Sequence, residues 1–334
     1  IAPVRTVLQL SNARSWMHLT YDLSCDFLFH KAHRLFQRSK TKKYLKYTLS
    51  KIDQVSNLDL CHAHSLFSDG SVALQLKNLT GKKYIVTIRN TDINLFWKYF
   101  IWRRALGREI VKQAELIILP SESYRKKFQE IFRTDTHRAI VIPNGVDDKF
   151  FKTDLVYQRQ FHKKILFIGE LNHNKNILPL IDIIDKQTEW HLDIIGFGDL
   201  EKIVKTRAGN CVNCDFIGRL TCVNELIAKI DGVDVVVVPA RTELFGIALA
   251  EAVTRARPII FMKEQGLDGF FPTNPVGIAL TKLDGSNLMG ALDEISKHYA
   301  YYQSNCVKVR HTFEWSNIIS NYEIAYQKIY QKSL

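Results

Sequence analysis

The sequence predicts an α/β protein: two doubly wound, Rossmann-like domains facing each other across a cleft. Three observations predict it. Short apolar runs of strand length alternate with stretches of helical periodicity along the chain. Runs such as Val235 to Val238 are apolar at every position, as befits strands of a parallel sheet covered on both faces. With 334 residues the chain is too long for one ordinary core, and its alternation restarts near Lys163.

In chain order, strands are expected at VRTVLQL from Val4, LDLCHA from Leu58, YIVTI from Tyr84, LIIL from Leu116 and AIVI from Ala139. A second series follows: KILFIG from Lys164, HLDIIG from His191, CDFIG from Cys214, DVVVVPA from Asp234 and RPIIF from Arg257. The segment PNGVDDKFFKTD from Pro143 has the Pro, Gly and Asp of a linker. The expected division is therefore a first domain over 1–150, a second over 151–312, and a final helix over 313–334 returning to the first domain.

Charge divides the same way. Residues 1–152 hold 26 Lys and Arg against 13 Asp and Glu, and the remainder hold 20 against 21. The whole excess of +12 thus lies in the first half, which suits an anionic partner. No window approaches the ~18 continuous apolar residues of a membrane span. The six cysteines are too sparse for a disulfide framework, and the Cys211-x-x-Cys214 pair lacks the further ligands of a closed zinc site. They are read as reduced packing residues in a cytoplasmic protein. The chain opens on Ile1, so its amino-terminal portion is expected to be missing or divergent.

In open α/β sheets ligands bind beyond the carboxyl ends of the strands. After DVVVVPA stands Arg241-Thr242-Glu243-Leu244-Phe245-Gly246, then a helix carrying Glu251 among Ala248, Leu249, Ala250, Ala252 and Val253. Gly246 permits close backbone approach, and the helix-start amides suit an anion. A carboxylate among apolar neighbours needs hydrogen-bond donors, which either a ribose diol or a nearby Arg or amide supplies. After KILFIG comes ELNHNKN, whose Lys175 opens a helix, an end where a cation is unfavourable unless an anion binds there. GFGD holds the pair Gly196 and Gly198 plus Asp199, and Arg219 follows Gly218.

Taken together, FIGELNHNKN, DIIGFGD, FIGRL and VPARTELFGIALAEA resemble the donor-binding domain of retaining glycosyltransferases of family 4, which have the GT-B fold. Glu243 and Glu251 match that family's Glu-x7-Glu pattern. The resemblance is strong over about residues 144–280 and fainter in DLCHAHSLFSDG and YIVTIRNTD. It implies that Glu251 holds the ribose of a UDP- or GDP-type sugar donor and that Glu243 touches the transferred sugar. Phe245 and Gly246 would hold sugar or diphosphate through the helix-start amides, and Lys175 would neutralise the diphosphate. Gly169, Gly198 and Arg219 would line the nucleotide site. The chain departs from the family at Glu170 (often Arg), Ala240 (often Ser) and Ala256 (often Gly), and NARSWMHLTYD lacks the usual Gly-rich loop. No Asp-x-Asp occurs, so no metal ligands and no cofactor besides the donor substrate are expected.

In the first half, His64 is a candidate for acceptor deprotonation, and Arg89 and Asp92 for acceptor hydroxyls. Two stretches, Lys31–Lys51 with eight basic and no acidic residues, and Leu95–Lys112, interleave cations with aromatics. Such stretches read as membrane-surface segments. The reading is a retaining glycosyltransferase on the inner face of the membrane, serving a glycan or lipid-linked acceptor in surface polysaccharide assembly. Its rivals are a non-catalytic scaffold of the same fold and a basic nucleic-acid binder, for which no recognition motif is present.

Overall fold

The computed structural model describes residues 41–46, 49, 59–133, 138–157 and 160–331. The expected strand at Val4 and most of the basic stretch Lys31–Lys51 lie outside them. The chain forms two compact units. Among the described residues, the first takes in everything to Pro120, Arg125–Ile142 and the chain from Tyr322 onward; the second takes in Ser121–Tyr124 and Pro143–Asn321.

The first unit is a four-stranded parallel sheet in the order β1-β2-β3-β4: Leu60–Ala63, Lys83–Thr87, Leu116–Leu119 and Ala139–Val141. Ile85, Val86, Ile117 and Ile118 are fully buried, as strands covered on both faces require. Helix α1 (Asp69–Thr80) stops at Gly81, which takes φ 73° and returns its amide to Lys77 O at 2.7 Å. A π-helical stretch, Asp92–Trp97, and a 3-10 turn, Ile101–Arg103, lead into α2 (Arg104–Gln113). Helix α3 (Arg125–Phe132) buries Phe128 and Phe132. The end of the chain's last helix is fastened to this unit by polar contacts: Tyr326 Oη meets His62 Nδ1 at 2.7 Å, and His62 Nε2 meets Thr87 Oγ1 at 2.7 Å.

The second unit is a six-stranded parallel sheet in the order β10-β9-β8-β5-β6-β7. Its strands are β5 Lys164–Ile168, β6 His191–Ile195, β7 Cys214–Gly218, β8 Val235–Val238, β9 Ile259–Met262 and β10 Gly277–Leu280. Alternate residues feed opposite cores. Ile165, Phe167, Leu192, Ile194, Val235, Val237 and Ile260 belong to one; Leu166, Ile195, Val236, Val238, Ile259 and Phe261 belong to the other. The sequence reading missed β10. It is an edge strand of four residues led by a glycine, with only Leu280 buried, so it carries neither alternation nor a continuous apolar run.

The segment read as a linker is instead part of the second unit. Residues Lys149–Lys152 form the short helix α4 and bury Phe150. Fully buried Arg255 donates to Phe150 O, Thr153 O and Asp154 O and pairs with Asp231 at 2.6 Å, and Arg257 reaches Val156 O and Asp231 O at 2.8 Å. Two guanidinium forks therefore tie residues 150–156 to the end of α7 (Val223–Asp231). Between them Ala256 takes φ 55°, a left-handed conformation costing an L-residue about 1 kcal/mol.

Candidate functional site

Strands β5, β6 and β7 step one way across the second sheet and β8, β9 and β10 the other, so the order reverses between β5 and β8. At such a switch point the two loops diverge and leave room for a ligand. The sequence places its most chemical residues on these two loops. The β5 loop forms a 3-10 turn, His173–Lys175, before helix α5 (Ile177–Ile184). The β8 loop runs to Gly246, which caps α8 (Ile247–Thr254) with φ 78°.

Two asparagines stitch the loops together. Asn174 Oδ1 accepts from Thr242 N at 3.0 Å and Thr242 Oγ1 at 2.6 Å, while its Nδ2 donates to Thr242 O at 2.9 Å. Asn176 Nδ2 donates to Pro239 O at 2.9 Å, and its Oδ1 accepts from Arg241 Nε at 2.8 Å. The outcome is an ion pair between Lys175 Nζ and Glu243 Oε2, with both side chains largely buried. Lys175 thus precedes α5 rather than lying in its first turn, and its unfavourable place at a helix start is offset by Glu243 as well as by any anion. The Glu243 backbone is fixed in turn, its amide on Gln265 Oε1 at 2.9 Å and its carbonyl on Gly266 N at 2.8 Å. The clamping roles of Asn174, Asn176 and Gln265 were not legible in the sequence, because each bonds a loop distant along the chain.

Helix α8 is buried on every side except a stripe formed by Ile247 and, one turn on, Glu251. No side chain caps it. Gly246 O accepts the amides of Leu249 and Ala250, and among the described residues the amides of Ile247 and Ala248 have no acceptor. The Phe245 ring lies in the core, 5.9 Å from that of Phe313, so the expectation for this residue rests on its main chain alone. Glu251 has no hydrogen-bond or ion-pair partner among the described residues. Burial, aided by Asp147 nearby, pushes its carboxyl up to about 7. Among the described residues neither an Arg nor a backbone amide satisfies Glu251.

The neighbouring loops complete this edge. A Cβ on Gly198 would lie 2.6 Å from Leu171 O, and one on Gly196 2.0 Å from Gly169 O, so the GFGD glycines let two backbones touch. Leu171 N then bonds Phe197 O at 2.9 Å and Leu200 N bonds Leu171 O at 2.9 Å. Gly169 N bonds Ile195 O at 3.1 Å. Arg219 stacks over the half-exposed Phe197 ring at 4.4 Å. Glu170 is exposed.

The sequence model of Glycosyltransferase Family 4 matches residues 20–150, and that of Glycosyl transferases group 1 matches residues 158–299. The chain belongs to glycosyltransferase family 4. An uncharacterized glycosyltransferase of Methanocaldococcus jannaschii is 25% identical over 283 residues, 83% of this chain and 78% of that protein. An O-antigen biosynthesis glycosyltransferase of Escherichia coli is 25% identical over 215 residues, 64% of this chain and 59% of that one. The structure of Anabaena HepE in complex with UDP superposes with a TM-score of 0.67 at 17% identity, covering 88% of this chain and 82% of that one. The two parallel-sheet units are those of the GT-B fold.

In the first unit of this glycosyltransferase, Asp92 has a structural task. Buried, it accepts from the amides of Leu66 at 2.9 Å, Arg89 at 2.8 Å and Phe67 at 3.4 Å, and so ties two strand-end loops together. Burial outweighs these amides and pushes its carboxyl up to about 6. That enclosure withdraws it from the acceptor-binding role expected of it. Arg89 Nε donates to His64 O at 3.0 Å, and the His64 and His62 rings lie 4.1 Å apart, tilted by 33°. Burial, His64 and Arg89 together hold His62 well below the ordinary imidazole range, so it is neutral.

One candidate metal cluster, missed in the sequence, lies at the opposite end of the second sheet's strands. His191 Nε2 is 3.3 Å from Asp193 Oδ1 and 3.1 Å from Asp215 Oδ2, an arrangement that would suit a divalent cation. Strand register creates it, because Asp193 and Asp215 pair directly across β6 and β7. Nearby, buried Cys211 and Cys214 bring their sulfurs to 2.7 Å as free thiols, and burial pushes the Cys214 thiol up.

Proposed function

We propose that this glycosyltransferase takes a sugar from a nucleotide diphosphate-sugar, retains its anomeric configuration, and places it on a glycan or lipid-linked acceptor in surface polysaccharide assembly. The observation that carries the donor reading is Glu251: a largely buried carboxylate with no partner among the described residues, one turn inside a helix with unfilled amides. A buried carboxylate without donors is costly, and a vicinal ribose diol supplies two. The helix-start amides and Lys175 then receive the diphosphate, stabilising the charge that develops as the sugar leaves. Glu243, ion-paired with Lys175, is freed toward the sugar hydroxyls when the diphosphate takes over the ammonium. Retention is accounted for by attack of the acceptor hydroxyl on the leaving-group face as the bond to the diphosphate breaks, with a donor phosphate oxygen taking the acceptor proton. Arg219 and Phe197 offer a stacked platform for the base, beside Gly169 and Gly198. His64 and Arg89 are assigned to the acceptor. The UDP complex of HepE and the O-antigen role named for the Escherichia coli relative support the donor and the setting.

A thermal-shift panel of nucleoside diphosphates and their sugars, run on the parent and on Glu251→Ala, tests the donor reading. A UDP- or GDP-type compound stabilises the parent and barely shifts the variant. Equal shifts in both remove Glu251 from the site. NMR of the transfer product then reads the anomeric configuration, and an inverted product refutes retention.

A further inference from the structure

The first unit carries an apolar tip that its core does not use. Within eight residues, Leu95 is 44% exposed, Tyr99 60%, Ile101 63% and Trp102 64%. These side chains stand on the π-helical stretch, the 3-10 turn and the residues between them that lead into α2, while Ile93, Trp97 and Arg103 of the same segment are buried. The segment is therefore two-faced: its inner face is packed, and its outer face presents large apolar groups to water. Scattered exposed apolar residues need no account, but a contiguous group of four does.

The charge along this segment is mainly basic, with exposed Glu109 just beyond it. From Ile93 to Arg108 the chain has four basic residues and no acidic one. Lys98 is exposed beside Tyr99, and Arg104 and Arg108 lie over the Trp97 ring at 5.6 and 5.2 Å. Lys127, on α3, donates to Asn94 Oδ1 at 3.2 Å, and burial and Lys98 both pull its ammonium below the ordinary range. Two lysines thus crowd one spot. Residues 41–46 of the same unit are also basic on their outer face: Thr41 and Tyr44 are buried, and Lys42, Lys43 and Lys46 are exposed.

We infer that this tip docks the protein on an anionic phospholipid surface, with Leu95, Tyr99, Ile101 and Trp102 entering the headgroup–acyl boundary and Lys98, Arg104, Arg108 and Lys127 meeting lipid phosphates. Aromatic and aliphatic groups ringed by cations are the composition that such a boundary favours, whereas a protein partner of ordinary composition offers no matching sheet of negative charge. Each basic residue near an anionic leaflet raises partition about fivefold, so several act together to give reversible attachment. No helix among the described residues is long and apolar enough to cross a membrane. The inference is independent of the donor reading.

Flotation of the full chain with phosphatidylcholine vesicles, with and without phosphatidylglycerol, tests it. The parent floats with the anionic vesicles, stays behind with the neutral ones, and is released by salt. Ile101→Ser with Trp102→Ser lowers the partition about tenfold or more, and Lys98→Glu lowers it about fivefold or more. Both variants keep the parent's circular dichroism and melting temperature without nucleotide, which shows that they are folded whatever the outcome for the donor site. Failure of the parent to bind, or undiminished binding by the double variant, overturns the inference. So does a parent that dimerises without lipid through a contact that the double variant loses, since the tip is then an interface between copies of this chain.

Discussion

Replacing Glu251 by Gln should make the unliganded protein more stable and a worse binder of nucleotide. Burial and Asp147 raise the Glu251 carboxyl from 4.5 to about 7. The folded protein thus holds this proton more tightly than the unfolded chain does. The stabilisation is fully present below pH 4.5 and is lost as pH rises through 7. At about 1.4 kcal/mol per unit, the ionised group disfavours the fold by up to about 3 kcal/mol, and partial solvation reduces that to about 2 kcal/mol. A glutamine does not ionise, so Glu251→Gln should gain that amount at alkaline pH and little at pH 4.5. For a unit of this size the gain is about 4–8 °C in melting temperature. The assay is a melting series from pH 4.5 to 8.5, repeated with nucleotide. A ribose donating to the ionised carboxylate requires that nucleotide affinity rise about tenfold from pH 6 to pH 8 in the parent, and not in the variant. If the variant is no more stable at pH 8.5, or its gain is the same at every pH, the carboxylate has a partner in solution and the argument for a ligand at this position fails.

Three further outcomes follow from the same contacts. Asn174→Ala removes three hydrogen bonds between the β5 and β8 loops, so KM for the donor should rise about tenfold with a loss of about 1–2 kcal/mol in stability; an unchanged KM in steady-state kinetics would show that the clamp does not position Lys175 and Glu243. Asp231→Ala strands the fully buried Arg255, and should cost about 3–5 kcal/mol in a urea melt; a loss under about 1 kcal/mol would mean that the carbonyls of residues 150–154 suffice. Asp92→Asn replaces an acceptor of three amides by a group that also donates, and should cost about 2 kcal/mol. Because the Asp92 carboxyl is raised to about 6, its own stabilisation is fully present below the ordinary 3.8 and fades as pH rises through 6. The stability gap between the parent and the Asp92→Asn variant should therefore be larger at pH 4 than at pH 8, and the opposite trend in paired melts would refute the burial argument.

Much of the architecture was legible because it is local. Val235 to Val238 announce a strand covered on both faces by composition alone, and Gly246 before an Ala-rich stretch announces a helix start. Glu243, Glu251 and Lys175 stood out as candidates because they lie on, or one helical turn beyond, strand-end loops, which carry ligands in this class of sheet. What one-dimensional reading left out is pairwise. Nothing in HNKN says that Asn174 reaches Thr242 or that Lys175 meets Glu243, since 68 residues separate each pair. The buried environment of Asp92 is equally silent, because its three amide partners come from two loops.

The sequence by itself determined two parallel-sheet units, the order of their strands along the chain and the residue types available at their ends, because periodicity and apolar content act over a few residues. Only the tertiary structure decided the sheet order that parts β5 from β8, the asparagine clamp across that gap, and the burial of Glu251. Those depend on which distant segments share a boundary and on how much water that contact excludes, quantities that exist only once the chain has packed.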